Sequence, residues 1–493
     1  LAISLKKNII FNYIGQIYMM GISIIILPLF LKLLGSESYG IVAFYMMAQG
    51  WMAILDLGMS PTLSREIAAN KNNKDNLSIF QLKSLIRSLE IIFFIISILV
   101  VVLSVFGSNY ISLYWLTSKD ISHNVINHAV ILIGIIISIR WFCGLYRSGI
   151  NGYEEQVWLN KINILFSTLK NPISLVLLYI TNGNLLIFFY YQVIIAAIEI
   201  LCISYKFYHL LPVVKNKVPL FSWSEIKRVK SFAGTTAFTA CLWVFLTQFD
   251  KLLMSKYLTL EYFGYYSLVV SVSTGIMMLS GPISTAILPR LTSLYTEEKE
   301  KMVELYMNST RFVSITVLPI SLLIILMPYQ VLLLWTDNQG AATWGKELLS
   351  LYSIGALCVV YTAFLHYIQF AHGNLKYHLR YGIISAIIII PSIYYAALHY
   401  SVYGVAVVWL ARGLFGLIFW APFIHSKFIP GIHLSWFFKN FILYAIVDIL
   451  IICLFKYYLY QHLSNKYFQL SSFILVVVIL LGCNFLIKKI SDK

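Results

Sequence analysis

Residues 91–106 read IIFFIISILVVVLSVF, and this run decides the fold class. Only Ser97 and Ser104 interrupt it, so a helix built from it is apolar on every face, and the alternation of a membrane β-strand is absent. Such a helix has no polar side to offer water. It belongs in a bilayer, whose hydrocarbon core of ~30 Å takes ~20 helical residues. The run 383–397 has the same character. Extending outward, the sequence predicts fourteen spans near 9–34, 39–60, 86–106, 124–147, 158–180, 185–204, 231–257, 262–288, 306–335, 347–371, 379–400, 402–424, 438–459 and 468–487.

Composition agrees. Of 493 residues, 60% are hydrophobic and 11% charged, against about a quarter charged in soluble chains. The mean hydropathy is +0.81. A soluble enzyme is excluded, but the net charge of +16 is not explained by lipid burial. Its placement explains it. Assigning alternate loops to opposite sides puts 26 of the 36 Lys and Arg on one side and six on the other, with Arg140, Lys170, Lys251 and Arg412 inside spans. By the positive-inside rule the richer side is cytoplasmic and so are both termini. The apolar run after Lys7 is too long for the core of a secretory signal and reads as a retained helix.

The connections are short, about 25 residues at most (61–85 and 205–230), and hold no GxxxxGK[ST], GxGxxG or HExxH motif. No nucleotide-binding domain, catalytic residue or nucleic-acid partner is indicated. Six cysteines scattered through spans read as small core residues. His366, His372 and His378 do not share a helical face at six-residue spacing, so no metal site is expected.

KLLGSESYG (32–40) and KYLTLEYFG (256–264) align at an offset of 224, each placing Glu-x-aromatic-Gly at a helix entrance. MSPTLSR (59–65) and ILPR (287–290) end the helices that follow with a cytoplasmic Arg, and Pro172 and Pro391 recur 219 apart. The repeat unit is therefore six helices. An even number gives both copies the same orientation, as in parallel-repeat transporters that alternate access by rocking two bundles. The expected domains are an N-lobe (1–204), a cytoplasmic inter-lobe loop (205–230), a C-lobe (231–424) and a C-terminal helix pair (425–493).

Charges at bilayer depth are costly, at least ~2.5–3.5 kcal/mol each on insertion scales, and usually face a partner or a polar cavity. Lys170 and Arg412 lie deepest; Arg140 is about two turns from the cytoplasmic end of its span; Arg65 and Arg290 occupy equivalent repeat positions. These five are the candidate cationic, substrate-binding residues, with carboxylate pairing or topological anchoring as the structural alternative. Asn171-Pro172 beside Lys170 predicts a kink that frees carbonyls. Asp56, Glu199, Asp250 and Lys251 are candidates for ion coupling or charge pairing. Deep cations match or exceed deep acids, which favours an anionic cargo.

With these residues in view, LGSESYGIVAF (34–44) and LDLGMSPTLSRE (55–66) resemble the first two helices and following loop of the Wzx-type O-antigen flippases, in the polysaccharide-transporter branch of the multidrug/oligosaccharidyl-lipid/polysaccharide (MOP) exporter superfamily. The resemblance implies an all-α, MATE-like fold of two six-helix lobes, with the last two helices a departure from the twelve of many members. It implies translocation of an undecaprenyl-pyrophosphate-linked oligosaccharide from the cytoplasmic to the periplasmic leaflet of a bacterial inner membrane. In that reading Lys170, Arg412 and Arg140 bind the pyrophosphate, while Arg65 and Arg290 attract it at the cytoplasmic mouth. No cofactor is implied; the drive is an H+ or Na+ gradient or removal of product, and the partners are membrane lipids, a polysaccharide polymerase and a chain-length regulator. The alternative is an ion-coupled antiporter of drugs or other small molecules from the MATE branch.

Overall fold

The computed structural model describes residues 2–71, 75–212, 221–463 and 465–491. Lys74, Lys215, Lys217 and Lys493 of the expected cytoplasmic set, and 213–220 of the expected inter-lobe loop, lie outside the described residues. Among those described, nearly everything is helix. The long helices are α1 (Ala2–Leu34), then α2 (Ser36–Leu55), followed by a short α3 (Met59–Asn70). Next come α4 (Asn76–Trp115), α5 (His123–Gly152), α6 (Gln156–Ile180), α7 (Leu185–Leu210), α8 (Trp223–Tyr257) and α9 (Leu260–Leu279). After α10 (Gly281–Glu297) and α11 (Lys299–Leu326), a short α12 (Pro328–Thr336) leads to α13 (Gln339–Ala371). The chain ends with α14 (376–400), α15 (402–428), α16 (His433–His462) and α17 (Lys466–Ser491).

Leaving out the three short or partial helices α3, α10 and α12, fourteen long helices remain, the number the sequence predicts. The one-residue gap between the predicted spans 379–400 and 402–424 is Ser401, at φ 52° and ψ −147° between α14 and α15. Three predicted spans are shorter in the structure; one of them, 262–288, is interrupted at Ser280, between α9 and α10. Span 39–60 ends at Leu55, because Leu57 and Gly58 take positive φ and Asp56 accepts hydrogen bonds from the N–H and hydroxyl of Ser60, opening α3. Span 306–335 breaks at Met327, because Pro328 has no N–H with which to continue the helix.

Lipid leaves its mark on the outward faces. On α4, Phe94, Ile95, Ile98, Leu99, Leu103 and Phe106 are all exposed, a continuous apolar surface that water would not tolerate. Between helices the hydrophobic drive is weak in lipid, so packing relies on close approach and interhelical hydrogen bonds. The α4–α5 contact shows both. A Cβ on Gly134 would lie 2.0 Å from the Ser104 hydroxyl. Ser138 donates to the Ser97 carbonyl at 3.0 Å, and Ser97 returns a bond to the Ser138 carbonyl at 3.4 Å.

Contacts divide the chain into two compact units, Leu1–Gly264 and Tyr265–Lys493. The first carries the N-terminal repeat and also takes α8, which packs on α2, α3 and α4. In the second unit, the two helices of the C-terminal pair are joined by Asp448 of α16, fully buried and accepting from Asn484 of α17 at 3.0 and 3.2 Å, and the pair docks on α11 through Lys456, whose Nζ donates to the Leu326 carbonyl at 3.0 Å.

The repeated Glu-x-aromatic-Gly motif has a local explanation. Glu37 accepts from the Ser118 hydroxyl (2.5 Å) and the N–H groups of Lys119 (2.8 Å) and Asp120 (3.0 Å), fastening the α4–α5 loop. Tyr39 is fully buried. Gly40 lets two backbones meet, since a Cβ there would fall 2.0 Å from the Leu260 carbonyl oxygen. The second copy mirrors it, because a Cβ on Gly264 would sit 3.1 Å from the Tyr39 ring and 3.2 Å from the Ser36 carbonyl.

Candidate functional site

The site is assembled from α2, α5, α6 and α7 of the first unit, and its foundation is a defect in α6. Pro172 cannot donate to the helical ladder, and Leu169–Ile173 form a π-helical turn in place of α-helix. A π turn leaves carbonyls without their usual donors, and in a membrane these must be satisfied from elsewhere. Side chains of α7 supply them. The Tyr191 hydroxyl donates to the Leu169 carbonyl at 2.9 Å, and the Gln192 amide donates to the Lys170 carbonyl at 2.7 Å. Ser174, one turn on, donates to the Lys170 and Asn171 carbonyls at 2.7 and 2.8 Å. Where the sequence predicts a kink the structure has a π turn, with the carbonyls of Leu169, Lys170 and Asn171 bonded by side chains.

That bonding fixes Gln192 with its amide oxygen turned the other way, where it accepts from Nη2 of Arg140 at 2.7 Å. Arg140 also donates to the Tyr45 hydroxyl and lies over the Tyr45 ring, 5.7 Å from its centroid. Two turns further along α5, Arg147 donates to Asn163 of α6 and pairs with Oε1 of Glu199 on α7. Lys170 completes the group, its Nζ 2.5 Å from Oε2 of Glu199. Two cations thus pair with one carboxylate and Arg140 stands two turns away on α5, leaving a net +2 in a cluster whose acid side chain is 3% exposed while Arg147 and Lys170 retain 28% and 21%. The Nε–H of Arg140 is buried with no hydrogen-bond acceptor among the described residues. Buried charges cost several kcal/mol each unless paired, so a cluster with more cations than acids has the chemistry to accept an anion.

Of the five cationic candidates, Arg140 and Lys170 meet here. Arg65, on α3, is exposed and sits 4.5 Å from the centroid of Phe232 on α8. Arg290, on α10, is exposed. Arg412, on α15, is half-buried beside Trp409, 5.3 Å from its ring centroid; both belong to the second unit. Among the remaining candidates, Glu199 is the paired acid of the cluster. Asp56 opens α3. Asp250 is buried on α8, and Lys251 donates to the Thr247 carbonyl of its own helix at 2.7 Å.

Arg147 is the member of this cluster that sequence reasoning misses, since it counts as a cytoplasmic loop cation. The overlooked signal is spacing. Arg140 and Arg147 are seven apart and so are Gln192 and Glu199, which puts each pair on one helical face and lets two parallel helices match them rung by rung. A second buried polar group, in the other unit, was likewise not anticipated. Asn440 of α16 accepts from Arg311 (3.3 Å) and donates to the Met307 carbonyl and the Thr310 hydroxyl (2.8 Å each) of α11, next to a 2.6 Å bond between Ser314 and Tyr361.

Known proteins share this architecture. Residues 5–295 match the family described as polysaccharide biosynthesis protein, and residues 236–395 match the MatE family. A putative O-antigen transporter of Shigella flexneri is 21% identical over 298 residues, 59% of this chain and 67% of the relative. Among solved structures, the lipid II flippase MurJ in an inward closed conformation superposes with a TM-score of 0.71 at 14% identity, covering 96% of this chain and 97% of that one. An inward-facing multidrug resistance MATE family transporter of the MOP superfamily gives 0.60 at 15% identity, covering 83% and 94%. The two structures share the fold, and the relatives are transporters and flippases, not enzymes. With more than half its length matched, this multi-pass membrane protein belongs to the family described as polysaccharide biosynthesis protein.

Proposed function

We propose that this protein is a flippase for a lipid-linked oligosaccharide, moving an undecaprenyl-diphosphate-linked polysaccharide repeat unit from the cytoplasmic to the periplasmic leaflet of a bacterial inner membrane. The observation that carries the reading is the Arg140–Arg147–Lys170 cluster about Glu199, with its net +2 and its unaccepted Arg140 Nε–H. A diphosphate diester brings two ionised oxygens, which balances that charge. Guanidinium forks and an ammonium bind such groups through charge-assisted hydrogen bonds. The polyprenyl chain stays in lipid while the head group is exposed alternately to the two faces of the membrane. The drive is an H+ or Na+ gradient or consumption of product by a polymerase outside, and Arg65, Arg290 and Arg412 add to the attraction for the anion. The MatE match over residues 236–395 favours a second reading, a small-molecule antiporter; a cationic drug, however, would meet a site of its own sign.

The test replaces Lys170 and Arg140 by Gln, singly and together, in a host lacking its own copy of the gene. Long-chain surface polysaccharide is measured beside protein abundance in the membrane. The double variant is expected to lose at least tenfold in polymer at normal abundance. Unchanged polymer would overturn the proposal.

A further inference from the structure

A diphosphate site has no evident need of a carboxylate, yet Glu199 stands in the middle of this one. Its placement is specific. The acid is almost wholly buried, whereas Arg147 and Lys170 keep an open side. The two cations therefore face Glu199 on their inner side and whatever enters on their outer side. One oxygen engages the guanidinium and the other the ammonium, 2.5 Å away, so both cations are occupied when no cargo is present. Arg140, the third cation, is held by neutral partners, Tyr45 and Gln192.

We infer that Glu199 is a resident counter-anion that sets how tightly the cargo diphosphate is held. The inference rests on the flippase reading above. With the site empty, Glu199 keeps three like charges together in a poorly screened environment. When a phosphate arrives, it must share or take over the donors of Arg147 and Lys170, and Glu199 stands ready to reclaim them. That competition keeps binding reversible. A transporter with three uncompensated cations would grip a diphosphate and release it slowly; one with a second acid, at net +1, would hold it more weakly.

The experiment uses the full-length protein in lipid nanodiscs, with farnesyl-diphosphate-linked N-acetylglucosamine as the binding probe and farnesyl monophosphate as its control. Removing one negative charge about 5 Å from the anion is expected to tighten binding roughly ten- to hundredfold. Glu199→Gln should therefore bind the diphosphate probe more tightly while exporting repeat units more slowly in cells, a split that loss of a merely structural ion pair would not produce. Glu199→Asp should keep both near the parent values. If Glu199→Gln does not fold, the double variant Glu199→Gln/Arg147→Gln, which restores the net +2, should bind with parental affinity. Unchanged or weaker binding by folded Glu199→Gln would overturn the inference, as would weak binding by the double variant. Lys170→Gln separates the two levels. If it binds the probe as the parent does, the diphosphate site itself is wrong. If it loses binding while Glu199→Gln gains none, only the role of Glu199 falls.

Discussion

Arg140 and Arg147 look alike in the sequence, yet only the deeper of them announces itself. Depth in a span flags Arg140, because a charge there is costly. Arg147, nearer the end that the charge counts predict to be cytoplasmic, has an innocent explanation in topology and is concealed by it. Its partner Glu199 sits 52 residues away, the same separation as Arg140 from Gln192. A single sequence does not reveal such pairing until two helices are known to be neighbours. The repeated glycine is the opposite case. Gly40 is legible as part of a motif, and the structure supplies the reason, a backbone approach to Leu260. Gly40→Ala is expected to destabilise the protein by about 1–3 kcal/mol, the usual cost of overpacking. Gly21→Ala, with nothing within 4 Å of the added Cβ, should be close to neutral. Thermal unfolding of the two purified variants in one detergent checks the contrast.

Among the elements, α6 carries the most information for its length. Its proline is visible in the sequence, and the expectation of a freed carbonyl is met at Leu169 and Lys170 by Tyr191 and Gln192. Pro172→Ala restores a backbone donor, and closing the π turn would rotate Lys170 by up to a residue's worth of helix, ~100°. The expected outcome is an unchanged or slightly higher melting temperature with a large loss of repeat-unit export, measured as surface polysaccharide. A lower melting temperature with export intact would refute it.

The helix α8 makes a different point. Between residues 231 and 243 its exposed positions are Ser231, Gly234, Thr235, Phe238, Thr239 and Trp243, in place of the Ile, Leu and Phe that face outward on α4. Gly58 fixes its rotation, because a Cβ there would strike the Thr236 hydroxyl at 2.1 Å and the Ala233 carbonyl at 2.3 Å. A hydroxyl-bearing face within a span is expected to line water and not lipid. Cysteines placed at Thr235 and Thr239, in a background freed of the six native cysteines, should react with a membrane-impermeant thiol reagent in inside-out vesicles. Cysteines at Ile98 and Leu103 of α4 should not. Equal reactivity at all four positions would remove the distinction.

At the scale of the whole molecule, the number of long helices follows from the bilayer. Every backbone donor and acceptor must be satisfied within a span, so apolar length converts directly into helix, and alternating Lys and Arg counts give the orientation. The six-helix period is likewise written in the sequence. How contacts group the helices is not. The repeat begins anew near α8, yet α8 packs with the first unit, through contacts to α2, α3 and α4. The C-terminal pair, which no repeat accounts for, is tied into the second unit by Lys456 and Asn440, both bonded to α11.

By itself, then, the sequence determined a helical membrane protein of two related halves with more cation than acid at depth, because length, apolarity and charge count are properties of composition and order. Only the tertiary structure decided which charges meet. Arg140, Arg147, Lys170 and Glu199 come from three helices, and their convergence depends on the rotation of each about its axis, where one residue of register turns a side chain by ~100°. That rotation is fixed by a π turn, by glycines that admit neighbouring atoms and by amides bonded on both sides, and all of these are relations between elements.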